Sequence, residues 1–404
     1  MQADPTLAAR FELTAPPDGF AADPYPFYRA LLAHRPVKRF ADGSVMLSRW
    51  ADLDRVYRDT TAFSSDKTVE FLPKFGRTPL YEHHTTSLVF NDPPLHTRVR
   101  KIMVGALTPR ALAAMEPGLV ALVDRLLARM ADREAVDLIE DFAAAIPVEV
   151  IGNLFGIPHA ERGPLRDWSL AILGALEPVL SAEQQARGNR AVRDFKAYLK
   201  TLADARRRRP GDPQTDVLTR LIAGNAGEAL SEVELLQNCI FILNAGHETT
   251  TNLIGNALNA LHEWPQEKAR LLAEPALIGT AVDEFLRFES PNQLGNRLAT
   301  QDVVFHGETV AAGTRVHLAI GAANRDPRQF DAPDRLDLGR RPNKHLAFAG
   351  GPHLCVGFSL ARMEGRIAIA RFVQRFPGFA VTGTPERTGR VRFRGFARLP
   401  ARLG

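Results

Sequence analysis

The stretch from Ser231 to Trp264-Pro265 limits the possible folds more than any other. Ser231 can cap a helix while Glu234 reaches back to it as a capping box, and no proline interrupts the chain before Pro265. The spacing predicts one helix of roughly 50 Å, at about 1.5 Å per residue, which is long for a globular protein. Such a helix has to cross the interior, with the rest of the chain packed around it. Its middle, Asn244-Ala245-Gly246-His247-Glu248-Thr249-Thr250-Thr251, places a glycine, an acid and three threonines where a buried helix should carry leucine and alanine. Threonine hydroxyls can bond back to carbonyls one turn earlier and bend or open a helix. Local choices that contradict the global pattern tend to mark functional or strained sites, with a polar helix face as the plain alternative.

Around that helix the pattern is mainly α with minor β. Asp92-Pro93-Pro94 predicts a helix start with Asp92 as N-cap, and helical periodicity recurs through residues 110–130 and 186–209. The arginine run 206–209 precedes Pro210-Gly211, where cations suit a helix C-terminus, and reads as a solvated helix end rather than a binding patch. The first ninety or so residues hold short alternating stretches, with 36–40 and 45–47 joined by Asp42-Gly43 as a hairpin. Further strand signals fall at 303–306, 316–320 and 391–398. At 404 residues, 45% hydrophobic and 24% charged, the composition is that of a globular protein and excludes disorder, collagen and coiled coil. No low-complexity linker divides the chain, so residues 1–404 are expected to form a single domain.

The excess of 51 basic over 46 acidic residues is mild and spread out, unlike a nucleic-acid footprint. The start, Met1 to Pro5, has no basic region followed by an apolar core, and no stretch approaches the roughly 18 apolar residues needed to span a bilayer. With only Cys239 and Cys355, a disulfide framework is not expected. A soluble, unexported, cytoplasmic monomer is the expectation.

Cys355 lies in Phe348-Ala349-Gly350-Gly351-Pro352-His353-Leu354-Cys355-Val356-Gly357, directly before an apolar-periodic helix over about 358–376. A glycine-rich loop thus delivers a sulfur to a helix N-terminus, where the dipole and loop amides favour thiolate. A lone cysteine is usually an inert buried side chain, and the surrounding spacing changes that reading. Phenylalanine seven before the cysteine, glycine four before, histidine two before and glycine two after resembles the heme-thiolate loop of the cytochrome P450 family. In such a loop glycines let the backbone approach the porphyrin, Phe348 would pack beside the thiolate and His353 could reach a heme propionate. Ala349 departs from the family's commoner glycine.

The resemblance extends in order from the Asp92 helix to Arg362. Glu284-Phe285-Leu286-Arg287 is similar to the family's Glu-x-x-Arg motif, and the resemblance implies Arg335, in Pro333-Asp334-Arg335, as its partner in a buried structural network behind the cysteine loop. His96 and Arg100, four apart on one helix face, and Arg297 match propionate-binding positions. Ala245 and Gly246 would keep the central helix thin against the porphyrin, and Glu248 and Thr249 match the acid and alcohol that supply protons to bound dioxygen. The resemblance therefore implies the triangular P450 fold, with heme b (iron protoporphyrin IX) between the long central helix and the cysteine-bearing loop and helix. Cys355 would be the iron ligand, with Gly351 and Gly357 beside it.

The activity implied is a monooxygenase that hydroxylates or dealkylates an apolar small molecule. Electrons would come from a two-iron ferredoxin and its reductase, since no Gly-x-Gly-x-x-Gly fingerprint for binding nicotinamide or flavin is present. Arg98, Lys101 and Arg110 would flank the cysteine side, where an acidic partner could dock with salt-sensitive attraction. The alternatives are a peroxide-driven hydroxylase, whose members usually lack the acid and alcohol pair, and a heme-thiolate ligand sensor without turnover. A helical scaffold without cofactor would be colourless. Substrate walls are nominated at Phe71, Leu72 and Phe75 in the loop before the Asp92 helix, at Leu170, Ile172 and Leu173, and at Leu294. Asn244 is expected either to hydrogen-bond a polar group of the substrate or to bond between helices. Lys74, Arg77, His83 and His84 could anchor an anionic group, exposed loop charge being the alternative.

Overall fold

The computed structural model describes residues 3–105, 107–224 and 229–404, so Met1 and Gln2 of the N-terminal reading lie outside the described residues. The central helix runs Glu232–Glu263, and its capping box closes as the spacing predicts. Ser231 Oγ accepts from the Glu234 amide at 3.3 Å, and Glu234 accepts from the Ser231 amide at 2.8 Å. It stops at Trp264 because the following proline disfavours the helical conformation there. Of its 32 residues 22 are buried, so it is covered all round rather than along one stripe.

The helices Ala145–Leu154, Gly163–Gly174, Ala182–Arg208, Ile278–Phe288 and Phe358–Arg375 all contact it, and Phe358–Arg375 also packs on Pro109–Met130. The crossing with the Phe358–Arg375 helix is close because residue 365 is glycine. A Cβ there would lie 3.1 Å from Leu253 Cδ2 and 3.3 Å from Val282 Cγ1.

A five-stranded sheet stands beside the helices in the order Val37–Arg39, Val45–Leu47, Arg315–Ala319, Leu294–Ala299, Phe63–Ser64. The first two strands form the expected hairpin, pairing Val37 with Leu47, and Gly43 takes the left-handed φ of 79° that its turn needs. Val45 pairs in parallel with Val316, joining the ends of the chain's sequence into one sheet. The antiparallel register of the next pair sets Asn296 opposite His317 and Arg297 opposite Val316.

Three expectations need correction. The helix after Asp92 spans Leu95–Val104, and the Asp92 carboxylate does not cap it, since Pro94 has no N–H to donate. It instead accepts from Ser64 Oγ and, at 2.9 Å, from the Ser65 amide, which ties the helix start to the sheet edge. The first part of the chain is also more helical than its alternation suggests, with Tyr25–His34, Trp50–Arg58, Thr68–Phe75 and Pro79–Thr86 all helices. Two or so turns give too few repeats for period 3.6 to stand out, although Leu53, Val56 and Tyr57 do bury at that spacing. Of 391–398 only Phe396–Arg398 is strand, and the irregular residues 390–392 bring the Arg390 side chain to the site described below. No described helix is long and apolar enough to cross a membrane.

Candidate active site

The loop before the Phe358–Arg375 helix folds back on itself, the Cys355 amide donating to the Phe348 carbonyl at 2.9 Å. Gly351 has φ 61°, and a Cβ there would lie 2.1 Å from the Tyr57 carbonyl oxygen, so only glycine fits. Ala349 shares the left-handed region at φ 58°, where its methyl costs about 1 kcal/mol relative to the glycine more common in this motif. Phe348 is half-buried, with the Arg362 guanidinium 5.0 Å from its ring centroid. Burial pushes the Cys355 thiol up, against the Gly357 amide and the Arg100 and Arg362 charges that pull it down. The helix terminus therefore does not by itself produce the thiolate, and a cationic partner for the sulfur would complete what these groups begin.

Behind the loop, Glu284 and Arg287 are fully buried and paired twice at 2.8 Å. Arg287 also donates to the carbonyls of Asn324 at 2.9 Å, Pro333 at 2.8 Å and Arg335 at 3.2 Å. The third charge is Arg340, whose Nε lies 3.1 Å from Glu284 Oε2, and Asn343 and the Asp337 amide complete the shell around that carboxylate. Arg335, expected as the partner, enters only through its carbonyl, and its side chain is exposed. Both arginines lie in the same irregular segment, where no periodicity tells which one turns inward. Asn324 carries the network to the cysteine loop, since its side-chain oxygen accepts from the Leu346 amide at 2.7 Å.

His96 and Arg100 share a face as expected. The His96 ring stacks on His353 with centroids 4.0 Å apart, and neither buried nitrogen of His96 has a protein partner. His353 Nε2 lies 3.1 Å from Ser65 Oγ. Arg297 is buried over the Tyr57 ring, 5.3 Å from its centroid, and its Nη1 donates to the Asn296 carbonyl at 2.7 Å. Burial first, and then the neighbouring cations Arg100 and Arg297, push both imidazoles down. Asp92, the acid these groups feel, is already engaged by Ser64 and Ser65. Donors gathered this way without free carboxylates are costly unless an anion answers them, and two porphyrin propionates have the chemistry to do so.

Along the otherwise buried middle of the central helix, one stripe stays half-exposed: Phe241 and Ile242, Ala245 and Gly246, then Thr249. Spacings of three and four place them on one face, a thin apolar strip ending in a hydroxyl. Gly246 also serves packing, since a Cβ there would lie 3.0 Å from Ile151 Cδ1. Thr249 Oγ1 donates to the Ala245 carbonyl at 2.8 Å and Thr251 Oγ1 to the His247 carbonyl at 3.0 Å, and the helix runs on unbroken. Glu248 turns to the side, buried against Arg390, which also donates to the Leu170 carbonyl at 3.3 Å. Burial raises the Glu248 carboxyl above its ordinary range while Arg390 pulls it down. No local pattern marks Arg390, which stands 142 residues along the chain.

Asn244 is 1% exposed and turned away from the stripe, and neither its amide atoms nor the His247 ring nitrogens meet a protein partner. Among the described residues it makes no helix-to-helix bond. Asn244→Leu is expected to raise stability by about 1 kcal/mol, by removing an unsatisfied buried amide of similar size. It should leave the dissociation constant of apolar ligands, read from heme spin-state titrations, within about twofold, whereas loss of a substrate hydrogen bond would weaken polar ligands up to about tenfold.

Among the nominated walls, Phe71 and Leu294 line a cavity of about 230 Å³ together with Lys74. Phe75 faces inward and packs against Phe71 and His84, with centroids 5.2 and 5.3 Å apart. Leu72 is 39% exposed on the outer side of the Thr68–Phe75 helix, which replaces the loop expected there. Leu173 is half-buried on Gly163–Gly174. Arg77 is exposed, and His83 is buried with its Nδ1 2.9 Å from Gln237 Oε1.

The cytochrome P450 family profile matches residues 41–388. The chain is 36% identical to the biotin biosynthesis cytochrome P450 of Bacillus subtilis (strain 168) over 368 residues, 89% of this chain and 90% of that protein. It is 37% identical to the vitamin D(3) 25-hydroxylase of Pseudonocardia autotrophica over 393 residues, 95% of each. Among solved structures, P450BioI in complex with a hexadec-9Z-enoic acid ligated acyl carrier protein superposes with a TM-score of 0.90 at 32% identity, covering 95% of this chain and 99% of that one. With the cysteine loop and the buried Glu284 network in place, the chain belongs to the cytochrome P450 family, as a monooxygenase that carries heme b.

Proposed function

We propose that this monooxygenase hydroxylates or dealkylates a largely apolar small organic molecule with dioxygen and two electrons from a two-iron ferredoxin and its reductase, residues 1–404 acting as one domain and as a monomer. The observation that carries the reading is the adjacency of Thr249, on the half-exposed stripe, to Glu248, buried beside Arg390. Heme, when bound through Cys355, supplies the redox centre that activates dioxygen. His96, Arg100, Arg297 and His353 would hold its propionates, and Gly351 and Gly357 let the loop approach it.

The chain's own part in the chemistry is to move protons and exclude water. The Thr249 hydroxyl can leave the Ala245 carbonyl and present its proton to the open face. Glu248, with its proton affinity raised by burial, can take a proton from water beside Arg390, whose side chain is 20% exposed, and restore the hydroxyl. The apolar part of the stripe keeps bulk water from the reacting carbon. On the cysteine side Lys101 and Arg110 are exposed and available to an acidic redox partner, while Arg98 is engaged by Glu234 and the Ala229 carbonyl.

Thr249→Ala tests the reading in the holoenzyme reconstituted with ferredoxin and reductase. Cofactor consumption should continue while product per electron pair falls about tenfold or more and hydrogen peroxide accumulates in its place. Unchanged coupling would remove the proposed role of the pair. Equal product formation from hydrogen peroxide alone would favour the peroxide route.

A further inference from the structure

The cavity beside the Thr68–Phe75 helix reaches the strand Leu294–Ala299 and Arg392, with Phe40, Phe71, Leu176 and Leu294 as apolar walls. Its acids are mostly answered. Asp42 pairs with Arg315 at 2.7 Å, Glu70 lies 2.9 Å from Lys67 and accepts from Asn296 at 3.3 Å, and Glu12 faces Lys38 at 3.7 Å. His317 is pushed by burial down to about 4 and is neutral at physiological pH.

Two cations remain, Lys74 and Arg392, and among the described residues neither side-chain nitrogen group has a carboxylate within 4.0 Å. Lys74 Nζ donates to the Glu177 carbonyl at 2.6 Å and Arg392 Nη1 to the Leu294 carbonyl at 3.3 Å. The Glu177 carboxylate is turned to the backbone, accepting from the Val391 and Arg392 amides at 2.9 and 3.2 Å. Both cations are therefore positioned by one residue yet hold neutral partners. Burial and then the Arg392 charge bring Lys74 down to about 8, while the Glu70 and Glu177 carboxylates pull the other way.

We infer that this cavity binds the carboxylate of an organic acid substrate, with Lys74 and Arg392 as its counter-charges and the apolar part of the acid lying along Phe71 and Leu294. Leu294 and Asn296 line the cavity from one face of the strand that carries Arg297 on its other face, about 10 Å beyond Leu294 at about 3.3 Å per residue, so the cavity and the expected propionate position share one strand. The inference rests on the monooxygenase reading for what lies at that end, and adds to it a substrate class. One carboxylate can bridge both cations, since the Glu70 and Glu177 charges already offset them in part.

The test is calorimetric binding of dodecanoate and of methyl dodecanoate to the holoenzyme at about pH 7, each repeated as a heme spin-state titration. A charge-assisted pair should make the acid bind about tenfold or more tightly than its ester. Lys74→Gln and Arg392→Gln should each weaken dodecanoate about tenfold and leave the ester unchanged, Lys74→Gln being the safer variant because Lys74 is less buried. Equal affinity for acid and ester, no binding of the acid, or an unchanged dodecanoate affinity in Lys74→Gln would overturn the acid site. The monooxygenase reading is judged separately, by the red-shifted Soret band of the reduced carbon monoxide complex. If that band were missing, the calorimetric preference would still decide the acid site.

Discussion

Glu284→Ala should yield little soluble heme-loaded protein, and what survives should unfold at a much lower temperature. The substitution strands Arg287, which is fully buried, and removes the acceptor of Arg340, Asn343 and the Asp337 amide together. Breaking a buried pair by removing one partner typically costs about 3 to 5 kcal/mol, against a total stability of about 5 to 15 kcal/mol. Because Asn324 links this network to the Leu346 amide, the cysteine loop should loosen with it and the heme-to-protein ratio should fall. Arg335→Ala is the informative contrast. It keeps the carbonyl that Arg287 uses and deletes an exposed side chain, so its effect should stay within about 0.5 kcal/mol. Arg340→Ala should fall between them, at about 1.5 to 3 kcal/mol for a hydrogen bond to a charged group. Thermal unfolding of the three variants decides the assignment, and an Arg335→Ala as damaging as Glu284→Ala would refute it.

Cys355→Ala should abolish the red-shifted Soret band of the reduced carbon monoxide complex and with it all product formation. The other cysteine cannot take over, since Cys239 is fully buried on the central helix and burial pushes its thiol well up. Cys239→Ala should therefore retain the band, heme content and turnover, with only a small packing loss. His96, Arg100 and Arg297 remain in Cys355→Ala, so residual heme binding without the thiolate spectrum is the expected phenotype rather than an unfolded chain. A persistent thiolate band in that variant would exclude Cys355 as the iron ligand.

The features legible in the sequence are those written in local spacing. The capping box at Ser231 and the proline at 265 bound the central helix to within a residue or so, because a helix end is decided by its own backbone donors and by the residue that cannot continue it. The cysteine loop is legible for a similar reason: Gly351 must take a left-handed φ against the Tyr57 carbonyl, and no other residue type fits. Short elements are not legible in this way. The helix Thr68–Phe75 has a proline inside it and two turns of period, and it folds because Phe71 and Phe75 find His84 and Phe90 to pack against.

The sequence by itself determined the long helix and the cysteine at the start of another, since each depends on residues a few positions apart. Only the tertiary structure decided which charges meet. Arg340 rather than Arg335 faces Glu284, Arg390 closes on Glu248, and Lys74 and Arg392 share Glu177 across a cavity. These partners come from irregular segments and turns, where side-chain direction follows no repeat and is set only when the segment is docked. Once water is excluded, each buried charge must find a partner or remain available to a ligand.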